Sequence, residues 1–498
     1  MLLPNYQNFK RVLEKGKNQL VYKRLPADLD TAVSLMLKLT KNKKNSFLLE
    51  SVTGGEIKGR YSVIGMDPDL IWECKGKKSR IKIKTNKKFS AFEESKKSPL
   101  VKLREILTEI KVDIPKSIPQ MAAGLFGFLG YDMIRLVENL PNMNRDVLKL
   151  PDAIMIRPQI IVIIDGVKGE IIIVSPVWAS KSQNDPKGAY NSAVTKVLKI
   201  VKKMQSAVKR PNNYSLPESK RKKPKSNVSK KAYIETVLKA KDYIKKGDIF
   251  QVVPSQRWSI PFKLPPFALY RALRRTNPSP YMFYFHLGKY QVVGASPEIL
   301  VKVKNDKVTI RPIAGTRPRG EDAAEDRLFE DDLLHDKKEL AEHLMLLDLG
   351  RNDVGRVAKI GTVKVTEQFI VEKYSHVMHI VSNVQGELSD NHDSLSALLS
   401  GLPAGTVSGA PKVRAMEIID ELETEKRGVY GGGIGYFGAG GEMDLCIALR
   451  TAIIKNDTLY IQAGGGVVAD SNPEDEFGET VNKSKALLTA AAQATDFV

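Results

Sequence analysis

Only two cysteines, Cys74 and Cys446, occur in 498 residues. Neither a disulfide framework nor a thiolate metal cluster can be built from them, and this scarcity suits a reducing cytoplasm, where the chain is expected. Long apolar runs are scarce too. The nearest, 158–174, is cut by Asp165, Gly166, Lys168 and Glu170; it falls short of the roughly 18 apolar residues of a membrane helix and predicts a hairpin, so no membrane partner is expected. The opening MLLPNYQNFKRVLEKGK lacks the apolar core and small-residue cleavage site of a secretory leader, and none is expected. The stretch PAGTVSGAPK at 403–412 has the glycines of a phosphate loop without its Gly-Lys-Ser/Thr ending, which argues against nucleotide binding.

Acidic residues are outnumbered, 57 against 78 basic ones, for a net charge of +21. An excess of that size raises nucleic-acid binding as a rival reading. The lysines, however, are spread along the chain. Only SKRKKPKSNVSKK at 219–231 is dense, and its proline and serines mark a linker. A nucleic-acid-binding protein would also have no use for the paired acidic helices described below. With 42% hydrophobic residues the chain can bury a large core. Two domains are expected, 1–206 and 230–498, joined by a basic polar linker at 207–229.

Before the linker, 46–51 and 60–65 predict strands, and glycine at every third position of 124–131 predicts close backbone approach. After it, 233–247 predicts a helix ending at Gly247, 249–253 a strand, and 267–276 a helix stopped by Asn277-Pro278-Ser279-Pro280. Closely spaced strands follow as far as 317, with connections too short for parallel crossovers. Segment 375–380 alternates with period two, placing His376, Met378 and Ile380 on one face and His379 on the other. Ser408 or Gly409 is expected to cap a helix with Pro411 in its first turn, whose free N–H groups would attract an anion. A meander of 431–437, 444–454 and 458–468 closes the chain's strand content. On its middle strand Cys446, Ala448, Arg450 and Ala452 share a face, so Arg450 can bind a ligand carboxylate or form a structural salt bridge.

Two carboxylate pairs carry the chemistry. Segment 335–356 predicts an amphipathic helix with Leu340, Ala341, Leu344, Met345 and Leu347 on one arc and Glu339 and Glu342 together at its margin. Glu476 and Glu479 form a second pair, in a helix announced by Asn472-Pro473. A lone pair of this kind is ordinarily a solvated helix face. Two such margins brought together would place four carboxylates at one spot and require a cation. All-oxygen ligation suits Mg2+, which takes one or two protein carboxylates and keeps several waters.

Taken together, RPIAGTRPRG, KELAEHLMLLDLGRNDVGRV, YSHVMHIVS, LPAGTVSGAPK, YGGGIGYF and QAGGGVVADSNPEDEFGETVNK are similar in order and spacing to the motifs of chorismate-utilising enzymes. Within that group the chain resembles the large, component I subunits of anthranilate synthases, specifically over 230–490 and more loosely before, where LLES and GRYS match. The resemblance implies an α+β fold of two antiparallel sheets packed as a β-sandwich and flanked by helices. It also implies Mg2+-dependent amination of chorismate by ammonia, then pyruvate elimination to anthranilate, a lyase reaction at the first committed step of tryptophan biosynthesis.

On matching positions, Glu342 and Glu479 would hold the Mg2+ with Glu339 and Glu476 beside them. Tyr430, Arg450 and the backbone of Gly464, Gly465 and Gly466 would grip the enolpyruvyl carboxylate; Gly315, Thr316 and Thr406 would complete the pocket, and Lys483 would pair with the carboxylates. Glu298 would be the acid for the departing hydroxyl and His379 would assist pyruvate loss. Ala314 and Gln251 stand where related aminodeoxychorismate, isochorismate and salicylate synthases carry lysines, which favours ammonia as the incoming group; aminodeoxychorismate synthase is the alternative. Neither cysteine lies in a Gly-x-Cys-x-Gly setting, so a glutamine amidotransferase partner subunit is implied, in a hetero-oligomer. Glu50, Ser51, Asn277, Pro280, Tyr281 and Met282 would form a feedback site for L-tryptophan, with a hydroxyl and carboxylate for its polar end and apolar surface for the indole.

Overall fold

The computed structural model describes residues 2–52, 59–85, 88–182, 184–208, 223–374 and 377–498. Two long strands, Tyr61–Lys75 and Ala153–Asp165, run antiparallel to each other with a break in register between Pro68 and Leu70. Pro68 lies opposite Pro158 there, and since neither can donate an N–H, the ladder is interrupted and both strands change partners.

The first half of 61–75 pairs with Ser46–Glu50, which leads through Tyr281–His286, Tyr290–Ser296, Thr451–Lys455 and Thr458–Gly464 to Ser255–Pro261. The first half of 153–165 pairs with Gly124–Leu129, which leads through Gly433–Gly438, Met443–Ile447, Ile299–Lys304 and Lys307–Ile310 to Val377–Glu387. That last strand also pairs with Ile313–Pro318 and Lys364–Lys373. The class is α+β and the pairing antiparallel, as expected. The two layers are not separate sheets, because the shared strands join them into one hydrogen-bonded network.

Between the layers Phe47 stacks on Phe126 at 4.5 Å and Phe128 meets Tyr290 edge-on. They bury with Phe283, Phe285, Leu445 and Ile447 in one core. Leu48, Ile64, Tyr284 and Ile461 point the other way, into a second core covered by helices Ala32–Thr40, Pro266–Thr276 and Pro473–Gln493. Phe47 to one core and Leu48 to the other is the two-residue period of a strand buried on both faces. Segments from before and after 209–222 interleave here, 46–50 with 281–286 and 124–129 with 433–438. Most of the predicted linker lies outside the described residues. Among those described, no helix is long and apolar enough to cross a membrane.

Three expectations are corrected. Helix Lys337–Gly355, capped by the Asp336 side chain, buries His343, Leu346, Leu347, Gly350 and Val354, while Leu344 is 46% exposed. The predicted arc is rotated because His343 can enter the core by bonding Ser382 Oγ at 2.7 Å. The predicted strand 444–454 is broken: 443–447 lies in one layer and 451–455 in the other, and Arg450 sits at the crossing with a left-handed φ of 45°. Finally, Gly409–Ala410 pairs with Gln251–Val252, and helix Lys412–Leu422 starts after Pro411 without a side-chain cap. Ser408 Oγ donates instead to Ala404 O at 2.8 Å. The expected anion site is replaced by a buried ion pair, Lys412 Nζ to Asp353 at 2.7 Å.

Candidate active site

Four glutamates from two helices meet across glycines. A β-carbon at Gly465 would stand 2.8 Å from Glu476 Oε2 and 3.7 Å from Glu479 Oε2; one at Gly466, 3.7 Å from Glu342 Oε1; one at Gly315, 3.4 Å from Glu339 Oε2. Glycine therefore lets the backbone close over the carboxylates. Gln251 Nε2 donates to Glu342 at 3.1 Å and Ser471 Oγ to Glu476 Oε1 at 2.7 Å. Lys483 Nζ bonds Glu479 at 2.6 Å and Gly464 O at 3.2 Å, and Arg317 stands 3.7 Å from Glu339.

Burial, then repulsion among the carboxylates, raises the pKa of Glu342; burial, then Asp336, does so for Glu339. Burial pushes Glu476 up to about 7, and its Oε2 is buried without a partner. Among the described residues no three His, Cys, Asp or Glu side chains stand close enough to hold a metal by themselves. A hard cation needing only one or two carboxylates, with water and substrate oxygens completing its shell, still fits this donor set. The unpartnered oxygen of Glu476 is where such charge is missing.

Glu298 follows strand 290–296 and is 6% exposed, with Thr406 Oγ1 3.1 and 3.2 Å from its two oxygens. Burial raises its pKa to about 8, against the opposing Thr406 hydrogen bond, so the carboxyl is protonated at neutral pH. His379 Nδ1 lies 2.9 Å from Gly315 O and 3.1 Å from Thr316 Oγ1. A carbonyl only accepts, so Nδ1 carries the proton and Nε2 keeps its lone pair. Burial lowers the His379 pKa, which keeps the imidazole neutral. Gly315, with a φ of 69°, sits in a register irregularity between Ala314 and Arg317 that presents this carbonyl. Met378 and Ile380 bury together on the opposite face, as the alternation predicts; His376 lies outside the described residues. Lys483 acts electrostatically on both Glu298 and His379 while bonding Glu479, which ties the acid, the histidine and the carboxylates into one site.

Tyr430 is buried beside Gly464, where a β-carbon would be 2.9 Å from its hydroxyl. Arg450 has no acidic side chain within salt-bridge distance among the described residues, and burial lowers its pKa. An uncompensated guanidinium in such a place calls for an anionic guest. Arg427, which the sequence offered no reason to single out, donates to Val407 O and Val253 O, each at 2.6 Å, pairs with Glu423 at 2.6 Å and lies over the Tyr430 ring. It holds the Thr406 turn, the segment beside Gln251 and Tyr430 at once.

The chorismate binding enzyme family model matches residues 67–489. The chain belongs to the chorismate-binding enzymes. It is 60% identical over 492 residues to anthranilate synthase component 1 of Cereibacter sphaeroides, covering 99% of this chain and 98% of that one. Identity to anthranilate synthase component 1 of Pseudomonas aeruginosa is 45% over 502 residues, covering 99% and 100%. The crystal structure of anthranilate synthase component I from Streptococcus pneumoniae superposes with a TM-score of 0.75 at 37% identity, over 87% of this chain and 93% of that one. Within the chorismate-binding enzymes, this chain is thus a member of the anthranilate synthase component 1 group.

This chorismate-binding enzyme has a second feature away from the glutamates: a cavity of about 660 Å³ whose lining includes Glu50, Ser51, Pro280, Tyr281 and Met282. Asn277 is not in its lining; it ends helix 266–276, and its Nδ2 is buried without a partner. The Glu50 carboxylate is already satisfied, by Arg274 at 2.9 and 3.2 Å, by Ser62 Oγ at 3.4 Å and by the Tyr270 hydroxyl. It braces strand 46–50 against helix 266–276.

Proposed function

We propose that the protein is the component I subunit of an anthranilate synthase, converting chorismate and ammonia to anthranilate and pyruvate with Mg2+. The observation that carries this reading is the meeting of two carboxylate pairs on distant helices with a protonated acid, Glu298, and a neutral histidine, His379, around Lys483. Glu342 and Glu479 would hold the Mg2+, with Glu339 and Glu476 beside it. When bound, the ion supplies positive charge for the ring carboxylate and for the hydroxyl oxygen that departs.

Arg450, Tyr430 and the backbone of Gly464, Gly465 and Gly466 orient the enolpyruvyl carboxylate, with Gly315 and Thr316 beside it. Glu298 gives its proton to the C4 hydroxyl as ammonia bonds to the ring, so that water leaves, and Thr406 fixes the direction of that carboxyl. His379 Nε2 then takes the ring proton beside the new amine while the enolpyruvyl C–O bond breaks. Pyruvate departs and the ring becomes aromatic.

Ammonia comes from a glutamine amidotransferase subunit in a cytoplasmic hetero-oligomer. Both cysteines of this chain are buried, and burial pushes Cys74 up to about 12 and Cys446 higher, which leaves neither as a nucleophile for glutamine. L-tryptophan is the inhibitor, seated in the cavity at Ser51, Pro280, Tyr281 and Met282. Glu50 supports that site through Arg274 and Tyr270.

The test is to mix the purified chain with chorismate, Mg2+ and an ammonium salt and follow anthranilate fluorescence. Anthranilate should form, whereas glutamine alone should give none until a glutaminase subunit is added. An aminated product that retains its enolpyruvyl group would assign aminodeoxychorismate synthase instead. Chorismate left untouched would refute the reading.

A further inference from the structure

Helix 337–355 carries Glu339 and Glu342, and segment 403–412 lies against its second half. A β-carbon at Gly405 would stand 2.3 Å from Leu349 Cδ2 and 3.3 Å from Leu346 Cδ2, so the backbone rests directly on the helix there. At the other end of the segment Lys412 Nζ donates to Asp353 Oδ2 at 2.7 Å. Among the described residues this is the one polar tie between segment and helix. Arg427 also grips the segment, at Val407 O, but its other partners are Val253 O and Glu423, neither of them on that helix.

Two contacts of the site leave the same segment. Thr406, next to Gly405, bonds Glu298, and Ala410 pairs with Gln251, whose amide donates to Glu342 at 3.1 Å. A closed path thus runs from Glu342 along its helix to Asp353, across to Lys412, back to Ala410 and through Gln251 to Glu342. Sliding the segment along the helix would displace Gln251 from Glu342 and Thr406 from Glu298 together. Apolar contact of Leu346 and Leu349 with Gly405 resists such sliding weakly, whereas a short hydrogen bond at Lys412 has a fixed direction. The pair is poorly suited to stabilising the fold by itself. Its side chains are 7% and 5% exposed, burial raises the Asp353 pKa and lowers that of Lys412, and Asp353 Oδ1 is buried without a partner. A buried ion pair left half satisfied gains little over apolar side chains of similar size.

We propose that Lys412 and Asp353 are positioning residues for the amination step, fixing where segment 403–412 lies along the glutamate helix so that Glu298 and Glu342 keep one relation to each other. Neither residue bonds Glu298, Glu342 or His379; both act through the segment. Loss of that relation slows the chemical step without weakening chorismate binding. The role rests on the reading of the site as that of an anthranilate synthase.

The test compares the full chain with K412M and with the double variant K412M/D353L in the ammonia-driven assay, alongside urea unfolding and a pH profile of kcat. The double variant removes both buried charges together, so its urea midpoint should match or exceed the parent's. Its kcat should nonetheless fall by about tenfold or more with chorismate KM within about twofold, because Arg450 and Tyr430 lie off the segment. K412M alone leaves Asp353 unpaired, and should unfold in less urea and be no more active than the double variant. The groups facing Glu298 are Thr406, the Ile313 N–H, Lys483 and Tyr374; neither Lys412 nor Asp353 is among them. The Thr406 bond lowers the Glu298 pKa, so a displaced turn should move the alkaline limb of kcat, near pH 8 in the parent, to higher pH. A double variant with the parent's kcat and the parent's alkaline limb would overturn the positioning role. So would a double variant that unfolds in less urea than the parent, which would assign the pair to stability, or one with raised KM and unchanged kcat. A parent chain that forms no anthranilate would sink the reading of the site and this role with it.

Discussion

Thr406 Oγ1 stands 3.1 and 3.2 Å from the two carboxylate oxygens of Glu298, and these two residues come from segments far apart in the chain. One hydroxyl hydrogen cannot satisfy both oxygens. The bond lowers the Glu298 pKa, but burial outweighs it and leaves the carboxyl near 8. The site therefore offers a proton at neutral pH from a side chain that would ordinarily have lost it.

That pKa predicts a pH dependence with a definite sign. From the ordinary 4.5 to about 8, the folded chain binds a Glu298 proton that the unfolded chain has released. The resulting stability is present at low pH and is lost as pH rises through about 8, a difference on the order of 5 kcal/mol. Glu298→Gln cannot titrate, so its stability relative to the parent should improve between pH 6 and pH 9 in urea unfolding. Its turnover at neutral pH should fall by about 10² or more. A parallel pH dependence in both proteins would remove Glu298 as the protonated acid.

Arg450 should act on binding. Arg450→Met deletes the guanidinium that lacks an acidic partner, so chorismate KM should rise by about tenfold or more while thermal stability holds or improves. The measurement is steady-state kinetics alongside calorimetric unfolding. A strongly destabilised variant with unchanged KM would return Arg450 to a structural role.

Arg427 should behave oppositely. Its ion pair with Glu423 is buried, so Arg427→Met leaves an unpaired buried carboxylate and should cost about 3–5 kcal/mol in urea unfolding. Arg427→Lys keeps the charge without the reach to both Val407 and Val253, and should recover part of the stability but little of the activity. Full activity in the lysine variant would show that the Thr406 turn needs no such brace.

Ser51→Leu should abolish tryptophan inhibition in the ammonia-driven assay and leave chorismate turnover within about twofold, since Ser51 lines the cavity away from the four glutamates. Unchanged inhibition would place the inhibitor elsewhere.

What the sequence disclosed was local. The pairs Glu339/Glu342 and Glu476/Glu479 follow from helical spacing, and Asn472-Pro473 marks a helix start because both signals sit within one turn. What it hid was made by distant contact. His343 lies on the core face only because Ser382 receives it, so a reading by apolar count rotated that helix. Arg450 looked like a strand residue because neither neighbour signals a crossing between layers. Pro68 and Pro158 each look like an ordinary strand end, and only their juxtaposition shows why two strands serve both layers. The cavity could be suspected but not placed, since Glu50 meets Met282 through cross-strand pairing. Arg427 matters through partners no local pattern names.

The most direct test of the account is a Mg2+ titration of the purified chain with saturating chorismate and ammonium at fixed ionic strength, repeated for Glu342→Gln and Glu479→Gln. Anthranilate formation should saturate with Mg2+ in the parent, vanish on chelation, and fall by at least about a hundredfold in both variants while their unfolding curves stay close to the parent's. Full activity in both variants, with the parent's Mg2+ dependence, would mean that these helices do not hold the ion and that the chemistry lies elsewhere.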